Sequence, residues 1–313
     1  MGVYNVAPYI RDAVRSALQQ SVEDIEVIVV DDGSTDGTPD LVCCFGDPRL
    51  RLIQTAHRGA AAALNRGVAE ARSRYIAFLD GDDIWLRDRL ERHLQFMELR
   101  VKADLTFSLS RLIEETSTDL GLVSRSAAGP LDFNSLFVDN IIGNGSAIMV
   151  RREALSEVGP FDETLPGVYD FDVWLRIARR RKDNICCIPE VLTLYRRRPG
   201  QITKNWRLMA SAWRRVMEKF RAIDPQVVSD LEPAALCNMY RYLAAAASEN
   251  GDWRAGADLL ALSFRAAPSL FLRTHRSYLV AAVVLSAWML PPASKRWLER
   301  RARDLLSIFR RAA

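Results

Sequence analysis

The sequence predicts an α/β protein built on a mostly parallel sheet and followed by an all-helical C-terminal region. Three observations carry this. Short apolar runs, with the β-branched run 25–30 the clearest, read as strands covered on both faces. Stretches with apolar residues at helical spacing separate those runs. Beyond residue 205 the strand-like runs stop and only the helical spacing remains. A chain of 313 residues has interior enough for one large domain or two ordinary ones. With 49% hydrophobic and 26% charged residues it is neither disordered nor a polytopic membrane protein. Its 43 basic and 39 acidic residues are too evenly balanced to mark a nucleic-acid binder.

In chain order, residues 8–20 read as a helix with Ile10, Val14, Ala17 and Leu18 on one face, and 25–30 as the first buried strand. A short strand at 51–54, a helix over 58–72, a strand at 75–79 and a helix over 88–99 continue the alternation, which is the rhythm of a layered sheet. Residues 104–113 and 146–150 read as later strands and 169–180 as a helix. In the C-terminal region, helices over 234–248 and 253–267 flank an Asn-Gly-Asp turn at 250–252, and Pro268 stops the second. The pair is similar to one tetratricopeptide hairpin; a helical cap is the plainer reading, because solenoid repeats need neighbours to bury their faces. The five cysteines form two adjacent pairs and a single residue, a spacing for neither a disulfide framework nor a zinc site, so reduced thiols in the cytoplasm are expected. No basic stretch followed by an apolar run opens the sequence. The apolar run 278–290, at 13 residues, is short of the roughly 20 that a bilayer requires.

Acidic residues gather where strands end. The run 25–30 leads into Asp-Asp-Gly-Ser-Thr-Asp-Gly-Thr at 31–38, and the carboxyl ends of buried parallel strands are where open α/β sheets place ligands. An EF-hand is excluded, since its twelfth position is Cys43 and a strand, not a helix, enters the loop. Ser34 or Thr35 is expected to cap the following helix. A second strand end reads Leu-Asp-Gly-Asp-Asp at 79–83, where Asp80 and Asp82 can approach one point around a glycine; hard divalent cations favour such carboxylates. The third acidic pair, Asp170 and Asp172, stands at the start of a helix. The macrodipole alone favours acids there, while a general base facing the cleft is the functional alternative; spacing does not decide between the two acids.

Taken together, Val3-Tyr-Asn5, the 31–36 segment, Gly59 to Gly67, residues 75–85, the stretch 151–163 and residues 170–176 resemble, in order, the family 2 glycosyltransferases. The resemblance covers about residues 3–200. It implies the nucleotide-sugar-binding GT-A fold, with 1–204 as the catalytic domain and 205–313 as the helical region. It further implies that Tyr4 stacks on the nucleobase, that Asp32 accepts a hydrogen bond from it, and that Asp80 lies near the ribose. Asp82 is the implied ligand of a divalent metal, Mn²⁺ or Mg²⁺, bridging the donor diphosphate, and Asp170 the implied base. The implied activity is inverting transfer from a nucleotide sugar, a UDP-sugar foremost, to a hydroxyl of a glycan or glycolipid acceptor in cell-surface polysaccharide or glycolipid synthesis. A non-catalytic, nucleotide- or partner-binding relative is the alternative.

Three positions depart from the family pattern. Leu64 replaces a common phosphate-side arginine, for which Arg58 or Arg66 are the candidate substitutes. Tyr169 replaces an acid beside Asp170. No histidine follows Tyr195 and Arg196, so Arg198 becomes a candidate phosphate contact, against the plainer reading of 196–198 as a solvated basic run. Residues 295–313 carry seven basic and two acidic residues with interspersed aromatic and aliphatic side chains, the composition of a peripheral contact with an anionic membrane at the inner face. Finally, the family's fold places an apolar strand ahead of Tyr4, where only three residues stand; the expectation is a truncated first strand and a slot in the core.

Overall fold

A computed structural model describes residues 1–127, 129–198 and 200–289. The described chain forms two compact units. One comprises 1–133 and 141–198, the other 134–140 and the residues beyond 198.

The first unit opens with β1 (Gly2–Val3), α1 (Ala7–Leu18), β2 (Val27–Asp31), α2 (Thr38–Cys43), β3 (Leu50–Gln54) and α3 (Ala60–Glu70). These make a three-stranded parallel sheet in the order β1-β2-β3. Every residue of β2 is buried, because helices cover both faces. Val27 and Val29 pack with Ile10, Val14 and Ala17 of α1, while Ile28 and Val30 pack with Ala63 of α3. Period-2 alternation thus sends apolar side chains to two helical layers.

A second, mixed sheet follows: β4 (Tyr75–Ala77), β5 (Ile84–Trp85), α4 (Arg89–Leu99), β6 (Leu105–Ile113), β7 (Asp119–Val123), α5 (Phe133–Val138), β8 (Ile148–Arg151), α6 (Arg152–Val158), α7 (Tyr169–Ala178) and β9 (Ile185–Arg196). Its order is β4-β8-β6-β9-β5, with β7 on β6. The β6–β9 pair is parallel; the other pairs are antiparallel. The first sheet is thus all parallel and the second parallel only along β6–β9. Sequence periodicity does not announce β9, because Pro189 and Glu190 interrupt its apolar run, yet this strand carries the chain to Arg196 and Arg198.

β1 is a strand of only two residues, pairing with Val30 and Asp31. Beside Met1, between Ile25–Ile28 on one side and Tyr75–Leu79 on the other, lies a largely apolar cavity of about 460 Å³ that also reaches Leu64 and Trp85. β4 is the end strand of its sheet and faces this space.

In the second unit, α8 (Trp206–Ile223), α9 (Pro225–Glu249), α10 (Trp253–Ala266), α11 (Pro268–Arg273) and α12 (His275–Met289) follow one another. Asn205, Asp224 and Asp252 accept hydrogen bonds from Leu208, Val227 and Ala255 N–H and so cap three of them. α9 is longer than its apolar pattern predicts. The Asp224 cap and Pro225 start it early, and Pro233 sits inside without ending it. α9 and α10 form the expected hairpin about the 250–252 turn. Gly256 sets their closeness: a Cβ there would lie 2.2 Å from Ser248 Oγ and 3.2 Å from Ala244 O. Among the described residues no helix is long and apolar enough to cross a membrane. The basic segment 295–313 lies outside the described residues.

Candidate active site

The loop after β2 is locked onto the start of α1. Asn5, Val6 and Ala7 N–H donate in turn to Ser34 Oγ (2.9 Å), Thr38 Oγ1 (3.0 Å) and Asp36 Oδ2 (2.9 Å), and Asn5 Oδ1 accepts from Thr35 N–H (2.8 Å). The expected cap on the following helix is corrected by this geometry: neither Ser34 nor Thr35 caps α2, whose Gly37 N-cap has no side-chain bond and whose Thr38 N–H donates to Asp36 Oδ1 (3.1 Å), while Ser34 Oγ accepts from Asn5 N–H. Asn5 takes a left-handed φ of 50° to turn from β1 into α1.

That turn sets Tyr4 on the surface, 43% exposed, with its ring stacked on His57 at 4.2 Å and 25°. His57 Nδ1 lies 2.9 Å from Asp32 Oδ2. Asp32, 2% exposed, also accepts from Arg58 N–H at Oδ1 and Gly59 N–H at Oδ2, both at 2.8 Å. Its carboxylate therefore organises the entry to α3 while sitting beneath an exposed aromatic pair. No local pattern marks His57, since only the fold brings it against Asp32 and Tyr4, 25 and 53 positions away.

The end of β4 leads to the acid cluster. Asp80, Asp82 and Asp83 each offer a carboxylate oxygen within 4.8 Å of the others. Gly81 lets this segment pack closely on the start of the chain, because a Cβ there would come within 2.9 Å of both Val3 and Val6 methyl groups. Ser146 supports it: its Oγ accepts from Asp80 N–H at 3.0 Å, and its carbonyl accepts from Trp85 Nε1–H at 2.8 Å. Burial, then repulsion from Asp82 and Asp170, pushes the Asp80 carboxyl up to about 7. Burial and the charges of Asp82 and Asp80 also raise Asp83 well above the carboxylate range. Asp83 Oδ2 is buried without a hydrogen-bond partner. Crowded, desolvated carboxylates of this kind are short of positive charge, and the all-oxygen donor set fits a hard divalent cation.

Asp170 opens α7. Its Oδ1 accepts the Phe171 N–H at 2.7 Å, and burial raises it to about 6 in spite of that bond. Asp172, two residues on, is fully buried and paired with Arg176 at 2.8 Å.

The 196–198 segment is not a solvated basic run. Arg196, 2% exposed, donates to the carbonyls of Asp82 (2.8 Å) and Glu115 (2.7 Å) and to Ser117 Oγ (2.8 Å), and its N–H donates to Asp83 Oδ1 (2.8 Å). Arg198 Nε lies 2.5 Å from Asp82 Oδ2. The candidate substitutes for the arginine absent at Leu64 are both engaged in ion pairs, Arg58 with Glu163 and Arg66 with Glu70, each at 2.7 Å.

A parallel layer ending in acids, a second mixed sheet carrying an Asp-Gly-Asp bend, and an acid-led helix beside it define the GT-A class of glycosyltransferase. A family model described as Glycosyl transferase family 2 matches residues 1–159, and the chain belongs to that family. The Bacillus subtilis protein described as a putative teichuronic acid biosynthesis glycosyltransferase, TuaG, is 32% identical over 67% of this chain and 82% of its own length. Five Rickettsia relatives described as uncharacterized glycosyltransferases are 29–31% identical over 56% of this chain, which spans 26–57% of their lengths. Among solved structures, Staphylococcus aureus TarS 1-349 in complex with UDP-GlcNAc superposes with a TM-score of 0.63 at 16% identity, covering 99% of this chain and 88% of that one. The mannosyltransferase PcManGT of Pyrobaculum calidifontis, in complex with GDP-Man and Mn²⁺, gives 0.57 at 21% identity over 98% of this chain and 84% of that one. At these identities the two structures speak for the fold.

Proposed function

We propose that the protein transfers a sugar from a nucleotide-diphosphate sugar to an acceptor hydroxyl with inversion, with Asp170 as the base. The observation that carries this is Asp170 itself, a carboxyl raised to about 6 at the start of α7, close enough to the Asp80–Asp82–Asp83 cluster for its charge to act on Asp80. Tyr4 and His57 present a flat aromatic pair to a nucleobase, and Asp32 lies beneath them as the acceptor for a base N–H. Asp80 stands near the ribose. Asp82, with Asp80 and Asp83 adjacent, would hold Mn²⁺ or Mg²⁺, which when bound supplies positive charge against the leaving diphosphate.

Asp170 takes the proton of the acceptor O–H as that oxygen forms its bond to the anomeric carbon. The bond from that carbon to the diphosphate oxygen breaks on the opposite face, and its electron pair leaves with the diphosphate. One displacement inverts the anomeric centre. A base raised to about 6 is well matched to this, being ionised near neutrality yet strong enough to accept a proton.

A UDP-sugar is the favoured donor, on the TarS likeness, and a cell-surface glycan or glycolipid the favoured acceptor, on the TuaG name. A cytoplasmic location, with 295–313 at an anionic inner membrane face, completes the reading. Leu64 favours the alternative of a non-catalytic binder. Mn²⁺-dependent release of nucleoside diphosphate from a panel of nucleotide sugars separates the two: no release from any donor leaves only the binder.

A further inference from the structure

Arg198 and Arg196 leave the same strand but are held very differently. The Arg196 guanidinium is built into the backbone of the neighbouring turn, bonded to Glu115 O and Ser117 Oγ. Arg198 reaches Asp82 through a single charged contact, Nε to Oδ2 at 2.5 Å, with its guanidinium 5.6 Å from the centre of the Tyr9 ring. Tyr9 is itself fixed by a 2.5 Å bond from its hydroxyl to Glu115 Oε1. The Arg196 guanidinium lies over the same ring at 5.2 Å, so the ring does not separate the two; the bonds of Arg196 to the turn hold it in place, and Arg198, without them, can turn on the ring face. The carboxylate Arg198 occupies is the one assigned to the metal. A guanidinium and a divalent cation repel, so a metal ion on Asp82 weakens the Arg198 contact even where each takes its own carboxylate oxygen.

We propose that Arg198 is the resident counter-cation of Asp82, and that it gives up this carboxylate to the divalent ion and turns to the donor's diphosphate. The proposal rests on the metal and diphosphate reading above. A planar guanidinium suits both partners, since it binds carboxylate and phosphate oxygens with the same paired N–H groups. The exchange means that Asp82 has a counter-charge of its own before the donor arrives, and that diphosphate favours tight metal binding by drawing Arg198 away. Metal and nucleotide then bind with positive coupling, each strengthening the other by the same factor.

The test is a Mn²⁺ titration followed by the electron paramagnetic resonance signal of the free ion, with and without UDP, on the full chain. Arg198→Gln is expected to bind Mn²⁺ alone roughly tenfold more tightly than the wild type, and to bind UDP at saturating Mn²⁺ roughly tenfold more weakly, as for loss of one charge-assisted contact. A merely structural arginine would give weaker metal binding when removed, so the opposite signs are diagnostic. Arg198→Lys, which keeps the charge, is expected to change both affinities in the same directions by less, and it decides the matter should the glutamine variant fail to fold. Unchanged or weaker Mn²⁺ binding overturns the proposal, and unchanged UDP binding overturns its diphosphate half. If Asp82→Asn loses Mn²⁺ while the Arg198 variants match the wild type, the Arg198 proposal alone falls. If the wild type and both Arg198 variants take up no Mn²⁺ even with UDP, the metal reading falls with it.

Discussion

Arg176 Nη2 sits 2.8 Å from Asp172 Oδ2, and the same guanidinium donates to the carbonyls of Gly159 (3.0 Å) and Pro160 (2.7 Å). This pair separates the two acids that sequence spacing leaves equivalent. Asp172 fastens α7 to the turn after α6, and Asp170 faces the acid cluster. Asp172→Asn is therefore expected to destabilise the fold by about 3–5 kcal/mol, the cost of leaving a buried partner unpaired, with thermal unfolding as the measure.

Asp170→Asn is expected to do the reverse. Ionising a carboxyl held at about 6, against an unfolded value near 3.8, costs native stability, and that cost appears as pH rises from about 4 to about 6. The asparagine variant escapes it. Above pH 6 it should melt at or above the wild-type temperature, bind donor normally and transfer no sugar. A variant that melts lower would mean that the Asp170 charge is stabilised by its surroundings.

Activity should follow the same group with its own sign. Only the ionised carboxylate takes a proton, so kcat/KM should rise with pH through about 6 and then level. A profile flat between pH 5 and 8 would assign the base elsewhere.

The proposed nucleobase platform gives a fourth expectation. Tyr4→Ala removes the exposed ring stacked on His57 and should weaken UDP binding by roughly tenfold, within the 1–3 kcal/mol range for a base on an aromatic ring, with the melting temperature nearly unchanged. Calorimetric titration at saturating Mn²⁺ reads it. Unaltered affinity would move the base away from Tyr4.

The cavity beside Met1 gives a fifth. Joining five apolar residues of high strand propensity ahead of Met1 would lead a strand between β2 and β4 and fill part of the 460 Å³ space. At about 0.8 kcal/mol per buried CH₂ the extended chain should melt several degrees higher, and a better-aimed Tyr4 should bind UDP more tightly. Equal melting temperature and equal affinity would show that the fold is indifferent to that space.

What local pattern encodes was legible in the sequence. The buried run of β2, the helices α1, α3 and α4, the Asp-Gly-Asp bend and the acids opening α7 all follow from spacing within a few residues. What depends on distant partners was not. β9 has Pro189 and Glu190 in its middle and is a strand because β6 pairs with it. His57 matters through Tyr4 and Asp32, Ser146 through Asp80 and Trp85, and Arg196 is a buried strut only because the turn after β6 supplies carbonyls. Ser34 reads locally as a cap for the next helix, yet its hydroxyl accepts from Asn5 N–H, just ahead of α1.

The central claim is that Asp170 is the base of a metal-dependent transfer. It is tested most directly by measuring nucleoside diphosphate release from a panel of nucleotide sugars by the wild type and by Asp170→Asn, each with Mn²⁺ and with chelator. Slow release by the wild type with Mn²⁺ from at least one donor is expected, with loss of that release with chelator and loss of it in Asp170→Asn despite undiminished donor binding. Release that persists in Asp170→Asn, or that is unaffected by chelator, would contradict the claim.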